Sequence, residues 1–375
     1  MNIPLARPDI TDKEINAVVK VLRTSTLSLG PKLEEFEQKI AAYIGAKYAI
    51  AVNSGTSALH LCVRAIGIQP EDEIITTPFS FVASSNCVLF ESAKPIFVDI
   101  REDTLNIDES KIEEKITAKT KAIIPVHVFG YPADMKAILK IAKKHNLKVI
   151  EDSCEAIGAS VAGKKVGGLG DCGVFAFYPN KQMTTGEGGM IVTNSREIAD
   201  LARSMRNQGR DKKEWLSHNR LGYNYRLSDI NCALGVAQLS RIDQLLLRRD
   251  RVAKIYDRGL SGIEQIELPV EEANGIKRSW FVYVIRLKGE AAKSRDKMIE
   301  LLRSDGIGCN VYFPPIHLQP FYVEKFGFKK GDFSITEKVA ESTIALPFFN
   351  KLSQKEIEYV IKSIKKNLKK IKNGR

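Results

Sequence analysis

GVFAFYPNKQMTTGEGGMIVTN, residues 173–194, predicts two strands joined by a glycine-rich turn. Val174 and Phe177 lie in an apolar run of strand-forming residues, and Pro179 ends that run. One lysine, Lys181, follows at the strand end, beside the glycines of TTGEGG. A lysine amine placed there can react with the carbonyl group of a bound molecule. The alternative is a solvated lysine in a surface hairpin, and the rest of the chain decides between the two.

Seven short apolar runs, most of them separated by helical stretches, predict a mainly parallel sheet covered on both faces. In chain order these runs are AIAVNSG, EIITTPF, PIFVDI, AIIPVHVFG, KVIEDS, GVFAFYP and GMIVTN. Helices are expected at residues 11–23, 33–44 and 196–207, and one long helix at 228–260. Ligands of such sheets bind at the carboxyl ends of the strands.

The sequence changes character near residue 250. A strand (SWFVYVIRL), a helix (KSRDKMIELLRSDG), a proline-rich loop (YFPPIHLQPFY) and a final helix follow. We therefore predict an α/β protein with a large domain at residues 1–250 and a smaller α+β domain at residues 251–375.

The overall composition is that of an ordinary globular protein, with 44% hydrophobic residues among 375. No apolar run approaches the ~20 residues of a membrane helix, and the N-terminus does not resemble a signal peptide, so a cytoplasmic protein is expected. The six cysteines show no CxxC motif and the five histidines no metal spacing, so no metal site is predicted. The net charge of +12 comes partly from the C-terminal stretch. We interpret that stretch as a packing helix with a lysine-covered outer face, in preference to a nucleic-acid site.

Three groups of residues at predicted strand ends suggest a bound cofactor. Gly55 and Thr56, in NSGTS, begin a helix whose N–H groups and hydroxyls suit a phosphate, although a plain helix cap is the alternative. Asp152 suits a protonated pyridine nitrogen, with a strand-end cap as its alternative. Phe81 suits stacking on a ring, with a core position as its alternative. Together with Lys181 these groups indicate pyridoxal 5′-phosphate (PLP).

Two other motifs are rejected as sites. Gly168-x-Gly170-x-x-Gly173 matches the dinucleotide-binding pattern in letters only, because it precedes a strand and opens no helix. No GxSxG motif supports a serine hydrolase. His317, in the proline-stiffened FPPIHLQP, is a candidate pocket residue.

Taken together, the motifs resemble those of the sugar aminotransferases of the DegT/DnrJ/EryC1/StrS family, PLP enzymes of fold type I. The resemblance covers nearly the whole chain. Its carriers are GPKLEEFEQKIAAYIGAKYAIAVNSGTSALHL, TPFSFVASSN, VHVFGYPADM, EDSCEAIGA, FYPNKQMTTGEGG, LGYNYRLSDINCALG and YFPPIHLQPFY. The resemblance implies that Lys181 binds PLP covalently, Asp152 pairs with the pyridine nitrogen, Phe81 stacks on the ring, and Gly55 and Thr56 contact the phosphate.

The resemblance also implies an active site shared between two subunits. Asn224 is similar to the residue that reaches the phosphate from the partner subunit, and Arg226 looks like a carboxylate or pyrophosphate contact. Arg226, Tyr312 and His317 are the candidate substrate residues. A homodimer with shared active sites is therefore expected.

Two positions depart from the family pattern. Many relatives have serine as a phosphate ligand where this chain has Ala176, so cofactor affinity is in question. Many have glutamine where this chain has Glu155, near the phenolic oxygen of PLP, and that carboxyl needs a proton or a donor neighbour there.

The resulting hypothesis is a PLP-dependent aminotransferase that moves an amino group from L-glutamate to a nucleotide-linked keto-sugar. A 4-keto-6-deoxy sugar is favoured, in the biosynthesis of amino-deoxy sugars and polysaccharide. C-3 amination stays open as an alternative. A keto-sugar dehydratase carries histidine in place of Lys181, so the lysine argues against it. A non-enzymatic regulatory protein that uses the basic tail does not explain why the motifs occur together, and no nucleic acid or membrane is expected as a partner.

Overall fold

The fold is built from short helices and strands that alternate through most of the chain. A computed structural model describes residues 1–211, 217–273 and 275–372. The helices are α1 Asp12–Leu22, α2 Pro31–Ile44, α3 Gly55–Ala65, α4 Ala83–Leu89, α5 Met135–His145, α6 Arg196–Arg206, α7 Asp229–Leu239, α8 Ile242–Leu260, α9 Arg295–Ser304, α10 Pro320–Phe326, α11 Ser334–Ala340 and α12 Gln354–Lys372. The strands are β1 Tyr48–Val52, β2 Glu73–Thr76, β3 Lys94–Phe97, β4 Thr120–Ile123, β5 Lys148–Asp152, β6 Ser160–Val161, β7 Lys164–Lys165, β8 Cys172–Ala176, β9 Gly189–Thr193, β10 Ile266–Glu267, β11 Ile276–Lys277, β12 Tyr283–Leu287 and β13 Thr343–Leu346.

The main sheet has seven strands in the order β1-β9-β8-β5-β4-β2-β3, counted over the described residues. The pairs β2/β3, β2/β4, β4/β5 and β5/β8 are parallel. Strand β9 runs antiparallel to both of its neighbours, β1 and β8. The predicted α/β fold with a mainly parallel seven-stranded sheet is therefore confirmed.

Helices cover both faces of this sheet because successive strand residues point to opposite sides. In β1, Ile50 and Val52 join the core formed with α3 and α6. Ala49 and Ala51 of the same strand join the core formed with α2 and α7. The continuous apolar runs of the sequence thus fill two cores at once, as expected for strands buried on both faces.

The packed faces of the main sheet together form the first core of the molecule, and a second core lies around the small sheet β10-β12-β13. Helices α8, α9 and α12 pack on it, through residues such as Tyr256, Leu302 and Ile364. The C-terminal stretch is the predicted packing helix, because its apolar side lies in this core. Within the part of the chain that the structure describes, no helix combines the length and the apolar character that crossing a membrane requires.

Helix α8 connects the two cores, because Leu245 lies in the core with α2 and Tyr256 lies in the second core. The boundary predicted after residue 250 falls inside this helix. The N-terminal Ile3 also packs into the second core. The division into residues 1–250 and 251–375 stays our proposal for the domain organisation.

Two sequence-based expectations were wrong. The single helix predicted at 228–260 is divided into α7 and α8, because Arg241 leaves helical geometry (φ −130°, ψ 20°). The Arg241 guanidinium binds Glu14 of α1 at 2.8 Å. The last residues of the proline-rich loop belong to α10, which starts with Pro320 at its first position, where a missing N–H costs nothing.

Candidate active site

A cavity of about 440 Å³ opens at the carboxyl ends of the parallel strands. Five strand ends contribute to it, those of β1, β2, β4, β5 and β8. It brings together seven of the ten residues that the sequence singled out: Gly55, Thr56, Phe81, Asp152, Glu155, Lys181 and Tyr312. Such a position is the usual ligand site of an open α/β sheet.

One end of the cavity is the N-terminus of α3. Ser54 caps this helix, and its Oγ accepts the Ser57 N–H at 3.0 Å. The N–H groups of Gly55 and Thr56, at the start of the helix, have no acceptor within it. A side chain at Gly55 would bring its Cβ within 2.8 Å of the Ala176 Cβ, so only glycine fits. The result is an anion-binding helix end that faces the cavity.

Asp152 lies on the floor of the cavity at the end of β5, and it is 4% exposed. The Ser84 hydroxyl donates to Oδ2 at 2.6 Å, and the Cys154 backbone N–H donates to Oδ1 at 3.1 Å. Both donors suit an ionised carboxylate. A buried anion in this position can hold a proton on an aromatic nitrogen.

Lys181 follows β8 and turns into the cavity, where its side chain is 14% exposed. Its Nζ lies 3.6 Å from Glu155 Oε1 and 3.8 Å from the centre of the Phe281 ring. The alternative of a solvated hairpin lysine is therefore wrong. The amine is held between a carboxyl group and an aromatic face.

Glu155 is buried beside this lysine, and its Oε2 accepts the Phe129 backbone N–H at 2.9 Å. Burial raises the pKa of the Glu155 carboxyl above its ordinary value, and the charge of Lys181 opposes the rise. The N–H of Phe129 comes from a tight turn, with φ of 52° at Phe129 and 82° at Gly130. Glu155 thus takes up a proton more readily than an exposed glutamate does.

Aromatic side chains form the wall and mouth of the cavity. Phe81 is 63% exposed at the mouth, so its alternative as a core residue is wrong. Tyr178 is also exposed there. Tyr312 packs against Phe313 and Phe281, with ring centres 5.0 Å and 6.4 Å away. Flat apolar surfaces thus border the space between the helix end and the lysine.

Three predicted site residues lie elsewhere. The expectation that His317 lines the pocket was wrong, because its ring is fully buried and Nε2 lies 2.9 Å from Glu337 Oε1. Asn224 is exposed, and Arg226 donates to Asn207 Oδ1 at 2.9 Å, both outside the cavity of their own chain. Their proposed contact with a partner subunit stays a prediction.

The rejected glycine motif serves an internal purpose. The backbone N–H groups of Gly167, Leu169 and Gly170 donate to the buried Glu151 carboxylate at 2.8, 2.6 and 2.7 Å. His127 Nε2 lies 3.2 Å from the same carboxylate. These amides are therefore engaged by the protein itself.

Sequence reasoning missed several lining residues. Ser84 could have been found, because it lies in the motif TPFSFVASSN that the resemblance already singled out. In the structure its hydroxyl donates directly to Asp152. Phe281 carried no local signal, because it reaches the lysine from a segment far along the chain. Glu187 and Asn180 flank the lysine turn and also line the cavity.

The cavity residues fit PLP. The start of α3 suits the phosphate, Asp152 the pyridine nitrogen, Phe81 the face of the ring, and Lys181 the aldehyde. The geometry that carries this fit is the buried carboxylate and the enclosed amine in one cavity with a free helix N-terminus.

Comparison with known proteins agrees with this fit. The DegT/DnrJ/EryC1/StrS aminotransferase family matches residues 8–365. The chain is 39% identical to GDP-perosamine synthase of Caulobacter vibrioides, over 96% of this chain and 97% of the relative. It is 36% identical to spore coat polysaccharide biosynthesis protein SpsC of Bacillus subtilis, over 97% and 96%. It is 34% identical to UDP-4-amino-4,6-dideoxy-N-acetyl-β-L-altrosamine transaminase of Campylobacter jejuni, over 99% of each.

Solved structures show the same fold. The PLP form of the putative sugar aminotransferase Spr1654 from Streptococcus pneumoniae superposes with a TM-score of 0.94. It is 30% identical and covers 99% of this chain and all of that one. The predicted family, fold type and cofactor are confirmed. The chain belongs to the DegT/DnrJ/EryC1/StrS aminotransferase family and is a PLP-dependent aminotransferase.

Proposed function

We propose that this enzyme transfers an amino group from L-glutamate to the C-4 ketone of a nucleotide-linked 4-keto-6-deoxy sugar. The product is an amino-deoxy sugar for polysaccharide synthesis, and the working form is a homodimer with shared active sites. The class, a sugar-nucleotide aminotransferase that uses an amino-acid donor, is that of the family and of the relatives named above. The donor, the carbon atom and the dimer are the proposal.

The observation that carries the chemistry is the enclosed Lys181 amine, 3.6 Å from the Glu155 carboxyl in the cavity that also holds Asp152. When bound there, PLP supplies the aldehyde that takes up the amino group and the ring that withdraws electrons. Lys181 is placed to remove the proton from the α-carbon of the amino donor. In the second half of the reaction it is placed to deliver a proton to the sugar carbon that receives the amine. Asp152 would keep the ring nitrogen of bound PLP protonated, and the cavity leaves the Lys181 side chain 14% exposed to water.

The sugar position rests on the relatives. The Campylobacter jejuni transaminase carries in its name a product with an amine at C-4 of a 4,6-dideoxy sugar. GDP-perosamine synthase points to a second nucleotide-linked amino sugar. Both relatives span nearly the whole chain. These names support C-4 amination over the C-3 alternative.

The charges around the cavity support the shared site. Among the described residues that line it, Lys181 is the one cation, against the carboxylates of Asp152, Glu155 and Glu187. PLP and a nucleotide sugar together carry several phosphate charges, which need additional cations or donors. Arg226 and the exposed Asn224 lie outside the cavity of their own chain, so a second copy is the natural source.

Absorbance spectroscopy tests the proposal. Purified protein with PLP is expected to show the visible band of lysine-bound cofactor, and L-glutamate is expected to bleach it. Lys181→Ala is expected to form no such band. A set of nucleotide-linked 3-keto and 4-keto sugars is then added to the bleached enzyme, and the band should return with a 4-keto-6-deoxy sugar.

Each arm identifies a different failure. Absence of the wild-type band would overturn the cofactor chemistry. Bleaching by another amino acid but not by glutamate would overturn the donor, and return of the band with 3-keto sugars alone would overturn C-4 amination.

A further inference from the structure

A buried arginine, Arg249 of α8, lies behind the catalytic lysine. It is 3% exposed, and its guanidinium contacts backbone carbonyls on two separate segments. One NH2 hydrogen bond goes to the Lys181 carbonyl at 2.9 Å, and a longer one of 3.4 Å goes to the Asn180 carbonyl. NH1 donates to the Phe281 carbonyl at 2.9 Å.

These contacts connect the lysine to the aromatic residue whose ring its amine faces. Lys181 and Phe281 come from segments that are distant in sequence, one after β8 and the other just before β12. The Lys181 Nζ nevertheless lies 3.8 Å from the Phe281 ring centre. Arg249 binds the main chain of both residues through the two arms of one planar group, so it sets their spacing.

The arginine has few other partners. Its Nε has no hydrogen-bond partner among the described residues, and its guanidinium lies 5.6 Å from the centre of the Phe348 ring. Burial lowers the pKa of Arg249 to about 10, so the guanidinium stays charged at neutral pH. Burying a charge is costly, and the carbonyl oxygens, together with the charge of the Asp9 carboxylate, compensate for that cost at this site.

We propose that Arg249 is a positioning residue, which fixes the Lys181 backbone and the Phe281 ring so that the amine faces the cofactor aldehyde. Arg249 is not among the described residues that line the cavity, and it acts through the lysine. The inference rests on the PLP chemistry of the proposed function and is independent of the sugar and of the donor. It predicts that loss of Arg249 impairs the reaction of the lysine while the phosphate and ring contacts remain.

Two ligands separate these effects. PLP must bond to Lys181, whereas pyridoxamine 5′-phosphate has no aldehyde and binds without that bond. The rate at which cofactor-free protein captures PLP is measured by stopped-flow absorbance, and the product is verified by borohydride reduction and mass spectrometry. Affinity for pyridoxamine 5′-phosphate is measured by calorimetry.

Arg249→Met is expected to slow PLP capture about tenfold or more, since small displacements of a reacting group are that costly. Its affinity for pyridoxamine 5′-phosphate should stay within about threefold of wild type, a change well under the tenfold step of 1.4 kcal/mol. Arg249→Lys keeps the positive charge but lacks the planar arrangement of donors that reaches both carbonyls. Its rate of PLP capture should therefore lie between those of Arg249→Met and the wild type. This second variant keeps the test informative if Arg249→Met folds poorly.

Arg278→Met is the matched control for removing a buried arginine. Arg278 is 8% exposed and is stacked between the Tyr131 and Trp280 rings, at 4.8 Å and 4.4 Å. Its variant should capture PLP at the wild-type rate. Equal slowing in Arg278→Met and Arg249→Met, a parallel loss of pyridoxamine 5′-phosphate affinity, or normal capture in both Arg249 variants would each overturn the inference. Absence of capture by the wild-type chain would instead refute the proposed function itself.

Discussion

Glu155 lies beside Lys181 with its Oε1 3.6 Å from the lysine Nζ, and both groups are largely removed from solvent. Asp152, a second carboxylate, lines the same cavity. Burial raises the pKa of Glu155, while the lysine charge and the Phe129 N–H oppose that rise. The protonation of Glu155 therefore depends on whether Lys181 is charged, which connects the lysine chemistry to pH.

The Glu155 carboxyl predicts a pH-dependent stability. Its folded-state pKa lies above the ordinary value of 4.5, so the folded protein binds the proton more tightly than the unfolded chain does. The stabilising contribution is present below that ordinary value and is lost as the pH rises through the raised pKa. Glutamine does not titrate, so Glu155→Gln removes this loss. The unfolding free energy of the PLP-free variant, relative to that of the PLP-free wild type, should therefore increase as the pH rises from acidic to neutral. Urea unfolding at several pH values measures the difference.

Glu187→Gln is the matched control for Glu155→Gln. Glu187 lines the same cavity but is exposed, so its variant should follow the wild-type pH profile. The interpretation fails if Glu155→Gln keeps the wild-type slope with pH, or if Glu187→Gln changes it to the same extent.

Ala176 predicts that cofactor affinity can be improved. Its Cβ faces the start of α3, where the resemblance indicates a serine phosphate ligand in many relatives. Ala176→Ser adds a hydroxyl donor near an anion, and hydrogen bonds to charged groups contribute about 1.5–3 kcal/mol. PLP affinity should rise about tenfold, the equivalent of 1.4 kcal/mol. Titration followed by absorbance measures it, and Ala176→Cys serves as a control of similar size with a weak donor. A loss of affinity in both variants would indicate crowding against Gly55.

Gly130 predicts a large effect from one added methyl group. Its φ is +82°, and a Cβ there would lie 1.7 Å from the Ser279 carbonyl oxygen. Gly67 has nearly the same φ, +85°, but open space around it, so Gly67→Ala measures the backbone strain alone, about 1 kcal/mol. Gly130→Ala should cost at least about 3 kcal/mol more in unfolding free energy. It should also weaken PLP binding, because the adjacent Phe129 N–H would leave Glu155. Equal costs for the two variants would contradict the predicted contact.

Local chain patterns were enough to predict the sheet and the site residues at its strand ends. Ile- and Val-rich runs mark buried parallel strands, and the carboxyl ends of such strands meet at one edge, which brings Gly55, Asp152 and Lys181 into one cavity. The position of each of these residues is set by the strand that it ends or follows. No tertiary contact had to be known in advance.

The features that were missed depend on contacts between distant segments. His317 is buried, with its ring hydrogen-bonded to the Glu337 carboxylate. The residues next to His317 in the sequence do not indicate that partner. Arg241, at the break between α7 and α8, binds Glu14 of α1, which is 227 residues away in the sequence. Arg249 likewise has its role only because α8 passes behind the lysine turn. Residue type and spacing carry no signal for such pairs.

The proposed shared active site predicts complementation between two inactive variants. Lys181→Ala removes the reactive amine from the cavity of its own chain. Asn224→Ala should instead remove a phosphate contact from the cavity of the partner subunit and so impair cofactor binding there. Asn224 has an exposed side chain. The next residue, Tyr225, accepts a hydrogen bond through its carbonyl from the Asn53 N–H at 2.9 Å, which fixes this segment to the turn between β1 and α3. In a mixed dimer, one cavity receives a wild-type lysine from one chain and a wild-type asparagine from the other.

Random mixing of the two variants, unfolded and refolded together, makes about half of all dimers mixed, each with one wild-type cavity under two-fold symmetry. The mixture should recover about a quarter of the wild-type PLP band that is bleached by an amino donor, because half the dimers have half their sites intact. Each variant refolded alone gives the baseline, and size-exclusion chromatography reports the oligomer. If each cavity is complete within one chain, mixing yields the mean of the two baselines, since no site then combines residues from two subunits. Recovery above that mean requires residues of two chains in one cavity, which is the arrangement that the scarcity of cations around Lys181 leads us to expect.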